Sequence, residues 1–275
     1  MLSVNTNYGA YVALQNLNAT NKALSETQNR INTGLKVAGP KDNGAVFAVA
    51  EGLRADIQSL GSVTNSLDRS TSVVDTAVAA GQAVSDLLKE MKEKALAAKD
   101  ASIDSNTRAA YNEDFVALRD QITKILDNAV FDGANLVNGD TSQIAALANA
   151  AGDSFLTVSA QDLSLSGSIV SLASTATIST ATKASSAIST IESSIDALGL
   201  ALANLGTDSK KLSVHKNFMN KLADELKNGL GNLVDADLAV ESAKLQALQT
   251  KQQLGIQALS IANSAPQSIL SLFRG

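Results

Sequence analysis

The sequence predicts a mainly α-helical protein: a long antiparallel coiled-coil or bundle rod made by its two chain halves, with a small β-hairpin region between them. Three observations predict it. Apolar residues recur at three/four spacing over long stretches on both sides of the chain centre. Tryptophan is absent, aromatics are 3% of the 275 residues, and there are two prolines. Apolar burial must then be spread over many small and medium side chains, which suits long helices packed side by side. Only the middle, from 131 to 182, changes to alternating periodicity and collects Ser and Thr.

The first helix is expected over 5–32. Leu14, Leu17, Leu24, Ile31 and Leu35 fall at heptad seam positions, with Asn21 and Gln28 between them. A seam this thin and polar makes a marginal helix in a single copy. Gly34, Gly39, Pro40 and Gly44 then break the pattern around Lys41-Asp42-Asn43, predicting a spoke or loop over 34–44. A long helix follows over 45–99, with Leu53, Ile57, Leu60, Leu67, Val74, Val78 and Leu88 in its seam. At ~1.5 Å per residue it approaches roughly 80 Å. Lys89/Glu93 and Glu90/Lys94 are candidate surface pairs at i,i+4. Asp104 or Ser105 can cap a third helix reaching Val130, with Tyr111, Phe115, Leu118, Ile122, Ile125 and Leu126 inward.

In the middle, 155–158, 163–166 and 169–172 alternate apolar and polar and read as short hairpin strands. Helix resumes over 183–228, with Ile188, Ile191, Ile195, Leu198, Leu202 and Leu205 at three/four spacing. Asp235 can cap a last helix. There Val240, Ala247, Leu254 and Ile261 repeat every seven, interrupted by Thr250 and Gln257. Pro266 is expected to kink or end it, leaving an apolar tail with Leu270, Leu272 and Phe273. Four segments follow: 1–33 with 236–275, the 34–44 link, 45–130 with 183–231, and 131–182. Marginal helices at both ends enclose stronger ones, the layout of an elongated assembly subunit.

Composition narrows function. With no cysteine, disulfides, thiolate nucleophiles and cysteine-bound metals are excluded. Net charge is −5 and the basic residues form no block, which argues against nucleic-acid binding. The first residues lack the positive and apolar regions of a cleaved Sec signal peptide, and no apolar run is long enough for membrane insertion. Gly34…Gly39 has P-loop glycine spacing, but Pro40-Lys41-Asp42 follows where Lys-Ser/Thr is required. His215, the only histidine, lies in a polar helical stretch, and neither Gly-x-Ser-x-Gly nor His-Glu-x-x-His occurs. The carboxylate pairs Asp235/Asp237 and Glu113/Asp114 fall near expected helix starts, where they favour the helix dipole. Asn18-Ala19-Thr20 matches a glycosylation acceptor inside an expected helix. The expectation is a non-enzymatic protein with no cofactor and no metal. The Ser/Thr-rich middle is an exposed surface first. Ser166, Ser168, Ser171, Thr175, Thr177 and Thr180 are the candidates for O-linked sugars.

Several segments carry a family resemblance. Arg30-Ile31-Asn32-Thr33-Gly34-Leu35-Lys36, followed by Lys41-Asp42-Asn43-Gly44-Ala45, resembles the amino-terminal signature of bacterial flagellins. Ser70–Ala77, Leu88–Met91 and Phe131-Asp132-Gly133-Ala134-Asn135-Leu136 are similar to later segments of the same family. Asp235–Ser242 and Ala262–Arg274 resemble its carboxyl-terminal signature. The likeness covers nearly the whole chain, and its small size is most similar to alphaproteobacterial flagellins of the Caulobacter type.

The resemblance implies a structural subunit that forms a homopolymer, the extracellular filament of the bacterial flagellum, for swimming motility. It implies an inner tube made of residues 1–33 with 236–275 and an outer tube made of the central helices and hairpin, with no large outer variable domains. The assembly seams would be Leu14, Leu17, Leu24 and Ile31 at one end, and Val240, Ala247, Leu254, Ile261, Leu270, Leu272 and Phe273 at the other. Arg30, Gly34, Lys41 and Asp42 would form the spoke and its turns. Implied partners are the flagellar type III export apparatus, an export chaperone on the C-terminal helix, the filament cap and the hook–filament junction proteins. The alternative is a hook–filament junction protein with flagellin-like ends. Met91–Leu96 departs from the Arg-x-Arg-Glu-Leu-Ala-like stretch that an innate immune receptor reads, which implies weak recognition.

Overall fold

The computed structural model describes residues 6–272, and side chains as far as Ser264. Five helices and one hairpin follow in order: α1 Tyr8–Thr33, α2 Gly44–Lys99, α3 Ser105–Asn128, β1 Gln143–Leu147, β2 Phe155–Ser159, α4 Ala181–Val234 and α5 Leu238–Leu272. The fold is mainly α with a small antiparallel sheet, as the periodicity predicts. It divides into two compact units, 1–55 with 225–275, and 56–224.

In the first unit, α1 begins where Asn7 Oδ1 accepts the Ala10 amide at 3.1 Å, an N-cap bond. It ends at Gly34, whose φ of 71° places it in the left-handed region while its amide donates to the Arg30 carbonyl. Leu35 then forms a single antiparallel bridge with Asp235, and the Ala236 amide donates to the Gly34 carbonyl at 2.9 Å. Lys36 and Val37 both donate to Val234. Asp42 Oδ2 accepts from Ala38 and Gly39 at 2.9 and 3.0 Å, closing the turn, and Asn43 Oδ1 accepts from Val46 at the start of α2. So the 34–44 link is tied by backbone bonds to the α4–α5 junction, above a small core of Val37, Ala50 and Val234 with Phe47 and Leu233 against it.

The last helix departs from expectation at both ends. Its cap is Asp237, whose Oδ1 accepts from Ala239 and Val240 at 2.9 and 3.1 Å. Asp235 is unavailable because α4 continues past Asn228 to Val234, and the Asp235 amide closes that helix by donating to Gly231. Nor does Pro266 end α5, which continues to Leu272. Proline has no amide to give the carbonyl four residues back. That carbonyl, on Ala262, instead receives the side-chain Nδ2 of Asn7 at 2.7 Å.

In the second unit, α2, α3 and α4 bury Leu60, Leu67, Leu88, Met91, Phe115, Ile122, Ile191 and Leu198. Gly81 is needed for close approach: a Cβ there would sit 2.7 Å from Leu202 Cδ2. The expected i,i+4 surface pairs do not form. Lys89 pairs instead with Asp86, and Lys94 reaches Asp114 on α3 at 2.7 Å. Asp104 caps α3 through the Thr107 amide. That helix stops at Asn128, two residues short of Val130, and a tight turn with positive φ at Asp132 and Gly133 joins Phe131 to Ala134.

The hairpin pairs Gln143–Leu147 with Phe155–Ser159, with Ala146 opposite Leu156. Alternating periodicity predicts only the second of these strands. Gln-Ile-Ala-Ala-Leu holds mostly helix formers, and tertiary contacts override that preference. Ser66 accepts the Leu147 amide at 3.1 Å, and His215 Nε2 donates to the Ala148 carbonyl at 2.8 Å. The other two alternating stretches, 163–166 and 169–172, form loops. Their inward residues Leu163, Val170 and Leu172 are buried against the helices rather than in a ladder.

Candidate functional site

The two chain ends meet as the antiparallel pair α1·α5. On α1 the inward residues are Ala13, Leu17, Thr20, Leu24, Thr27 and Ile31, and the only fully buried ones are Thr20 and Thr27. On α5 they are Glu241, Leu245, Leu248, Gln252, Gly255, Leu259 and Ala262. Gly255 lets Leu17 seat on the α5 backbone, since a Cβ there would lie 3.3 Å from Leu17 Cδ1. Polar seam residues answer each other: Gln252 Nε2 donates to Asn21 Oδ1 at 2.7 Å. The Thr20 hydroxyl donates to the Asn16 carbonyl inside this pair, so Asn18-Ala19-Thr20 sits in a helix with its threonine enclosed.

The stripe Val240, Ala247, Leu254 and Ile261 lies beside this contact face and points outward. Val240, Leu254 and Ile261 are 48%, 59% and 70% exposed, and Ala247 is exposed too. On α1, Tyr8, Tyr11, Val12 and Leu14 also face out, Tyr8 at 81%. Leu17, Leu24 and Ile31 turn inward and are half-buried. The side chains of Leu270 and Leu272, and Phe273 altogether, lie outside the described residues.

A charged node closes the pair at its spoke end. Glu241, 6% exposed, accepts from Lys244 Nζ at 2.8 Å and Arg30 Nη1 at 3.3 Å, both through Oε1. Arg30 also holds Glu26 at 2.6 Å. Among the described residues, Glu241 Oε2 is the buried side-chain oxygen without a partner. The hydrogen bond from Lys244 keeps the Glu241 carboxyl below the usual carboxylate range; burial opposes this and Arg30 adds to it. These groups line an open groove of about 440 Å³ together with Thr27 and Lys251. Gly34 and Asp42 shape the adjoining turns, and Lys41 is exposed on the second of them. Such an arrangement holds two helices in register; it is a structural node.

The chain matches the family description of the bacterial flagellin N-terminal helical region over residues 4–142, and of the C-terminal helical region over 188–273. It belongs to the bacterial flagellin family. It is 52% identical over 272 residues to flagellin FljK of Caulobacter vibrioides, covering 99% of this chain and 98% of that one. It is 36% identical to a flagellin of Brucella melitensis, covering both chains entirely. A Vibrio parahaemolyticus chain described as a flagellar hook-associated protein shares the fold at a TM-score of 0.56 and 12% identity, covering 70% of this chain and all of that one. That likeness concerns the fold alone. The flagellin assignment makes this chain a subunit of the flagellar filament.

Within this flagellin, Asn7, Glu241, Gln252 and Gly255 carry no apolar signal: the contact face of α5 sets a carboxylate, an amide and a glycine among its leucines, where the neighbouring stripe repeats Val, Ala, Leu and Ile every seven. Reading heptads from Glu241 rather than Val240 recovers it. The middle segment places Ser166, Ser168, Ser171, Thr175 and Thr180 at the surface and Thr177 half-buried. Ser166 accepts from the Ser174 amide, Ser171 meets Ser194, Thr180 caps α4 through Lys183, and Thr177 meets Lys183 Nζ. Ser168 and Thr175 keep free hydroxyls among the described residues.

The node yields a pH prediction for filaments of this flagellin. A depressed carboxyl pKa contributes stability that is fully present above the unfolded value of ~4.3 and is lost as pH falls through the folded value. Acidification from pH 5 to pH 3 is therefore expected to raise the subunit concentration needed for polymerisation. Glu241→Gln filaments should start on the order of tenfold weaker at pH 7, from the loss of charged hydrogen bonds, and respond less to acid. Sedimentation of filament from monomer across pH measures both. Parallel pH curves for the two proteins would show that the node contributes nothing.

Proposed function

We propose that this flagellin polymerises through the outward faces of α1 and α5, which neighbouring subunits cover. The observation that carries the reading is the exposed stripe Val240, Leu254 and Ile261 beside Tyr8, Tyr11 and Leu14. Burying a Val, Leu or Ile side chain is worth ~1.5–3 kcal/mol, so a stripe of this length is a strong drive that one subunit leaves unsatisfied. A head-to-tail contact whose rotation does not close generates an open helical polymer, the form of a filament. In this reading, 1–33 with 236–275 forms the inner tube and 45–130 with 183–231 the outer tube, with 131–182 on the latter and 34–44 as the spoke.

The same marginal ends suit passage through a type III export apparatus as an unfolded chain. They also suit a chaperone that covers α5 before export, and a cap and junction proteins that present ordered neighbours at the two filament ends. The product is an extracellular filament for swimming. Seeded growth tests the assembly reading: purified monomer added to filament fragments should extend them into long filaments seen by electron microscopy. Closed dimers, or fragments that never lengthen, would overturn it.

A further inference from the structure

Asn7 makes two bonds at once. Its Oδ1 caps the first turn of α1 through the Ala10 amide, and its Nδ2 donates to the Ala262 carbonyl in α5 at 2.7 Å. Ala262 is four residues before Pro266, so its carbonyl is the one that proline leaves without a helical donor. The two backbones run close here: a Cβ at Gly9 would lie 4.0 Å from Ala262 Cβ and 3.5 Å from Asn7 Oδ1. A half-buried carbonyl without a partner costs as much as a lost hydrogen bond, and helices commonly break at such a point.

We propose that Asn7 is a clasp that holds α5 continuous through Pro266, so that the last helical turns of the chain become ordered only when its first residues have docked. A segment near the beginning of the chain thereby positions one near the end. The clasp makes ordering of the two ends a single event: α5 cannot present residues 267–272 as helix while α1 is still undocked at Asn7. Asparagine suits the task because its carboxamide offers an acceptor to α1 and a donor to α5. Asp and Ser are equally good caps and Thr a somewhat weaker one, but Asp lacks the donor, and the Ser and Thr hydroxyls are too short to reach across.

The proposal rests on the assembly reading above, since the filament is where both ends are ordered. The test compares four full-length chains as filaments: wild type, Asn7→Ser, Pro266→Ala and the double variant. Serine keeps the cap and removes the reach to Ala262; alanine at 266 restores the helical amide. Hydrogen exchange of amides 267–272 and the temperature of filament dissociation are measured. Asn7→Ser should speed exchange in that segment about five- to tenfold, the worth of one hydrogen bond, and lower the dissociation temperature. In the Pro266→Ala background the same change should have less than a twofold effect. An Asn7→Ser chain that cannot polymerise is judged by the same comparison: growth regained with Pro266→Ala supports the clasp, and growth not regained overturns it. An Asn7→Ser cost that is equal in both backgrounds, or zero in the Pro266 background, also overturns it. Wild-type chains that never extend seeds would instead defeat the assembly reading.

Discussion

Leu254→Asp is expected to leave this flagellin folded as a monomer and to stop it polymerising. Leu254 is 59% exposed and lies on the outward stripe of α5, so in the lone subunit an aspartate there stays hydrated and costs little. In the proposed assembly a neighbour covers the same position, and an unpaired carboxylate taken out of water there costs several kcal/mol beyond the lost apolar burial. Even ~2.7 kcal/mol per contact raises the polymerisation threshold about a hundredfold. The measurement is a sedimentation assay over a range of protein concentration, with circular dichroism of the monomer as the folding check. Ile261→Asp should behave alike, because Ile261 continues the stripe and is 70% exposed. Normal filament yield from either variant would remove the stripe from the interface.

What the amino-acid pattern makes legible is the inventory of helices. Runs such as Leu60, Leu67, Val74 and Leu88 state a 3.5-residue period over many turns, and the corresponding residues are inside or half-buried throughout α2. Less legible is which face of a weak helix meets which partner. In α5 the every-seventh repeat Val240, Ala247, Leu254 and Ile261 points outward, and the face that touches α1 sets Glu241, Gln252 and Gly255, which serve bonds and close approach, among Leu245, Leu248 and Leu259. Periodicity finds an unbroken apolar repeat more readily than one interrupted by a carboxylate, an amide and a glycine, whichever of the two meets the partner helix. The hairpin was half-visible for a related reason: β1 owes its conformation to Ser66 and His215, which are distant in sequence from Gln143–Leu147. Caps failed where two acids compete, since nothing local distinguishes Asp235 from Asp237 until the Leu35 bridge is known. The family signatures were legible because they are short, exact strings and do not depend on packing.

Brief proteolysis of the monomer is expected to remove both ends and leave a stable fragment near Ala45–Gly231. The reason is a contrast in burial. Across the 26 residues of α1, only Thr20 and Thr27 are fully buried, and each is polar. Along the described side chains of α5, only Glu241 is. The half-buried leucines between them offset little of the ~1–2 kcal/mol of backbone entropy that each ordered residue costs. The central unit instead encloses Phe115, Leu67, Leu88, Met91, Ile122 and Leu198, and opening it exposes that whole core. Local openings at the ends should thus cost about 1–2 kcal/mol, against at least ~5 kcal/mol for the centre. Hydrogen exchange gives the same comparison without a protease: α1 and α5 amides should exchange at least a hundredfold faster than those of α2 in the monomer. In the filament the gap should narrow, because in the proposed assembly neighbours supply the apolar surface that Leu254 and Ile261 lack in the lone subunit. Equal protection of the ends in monomer and filament would mean that α1 and α5 are ordered without neighbours, and the outward stripe would then need some other explanation than assembly.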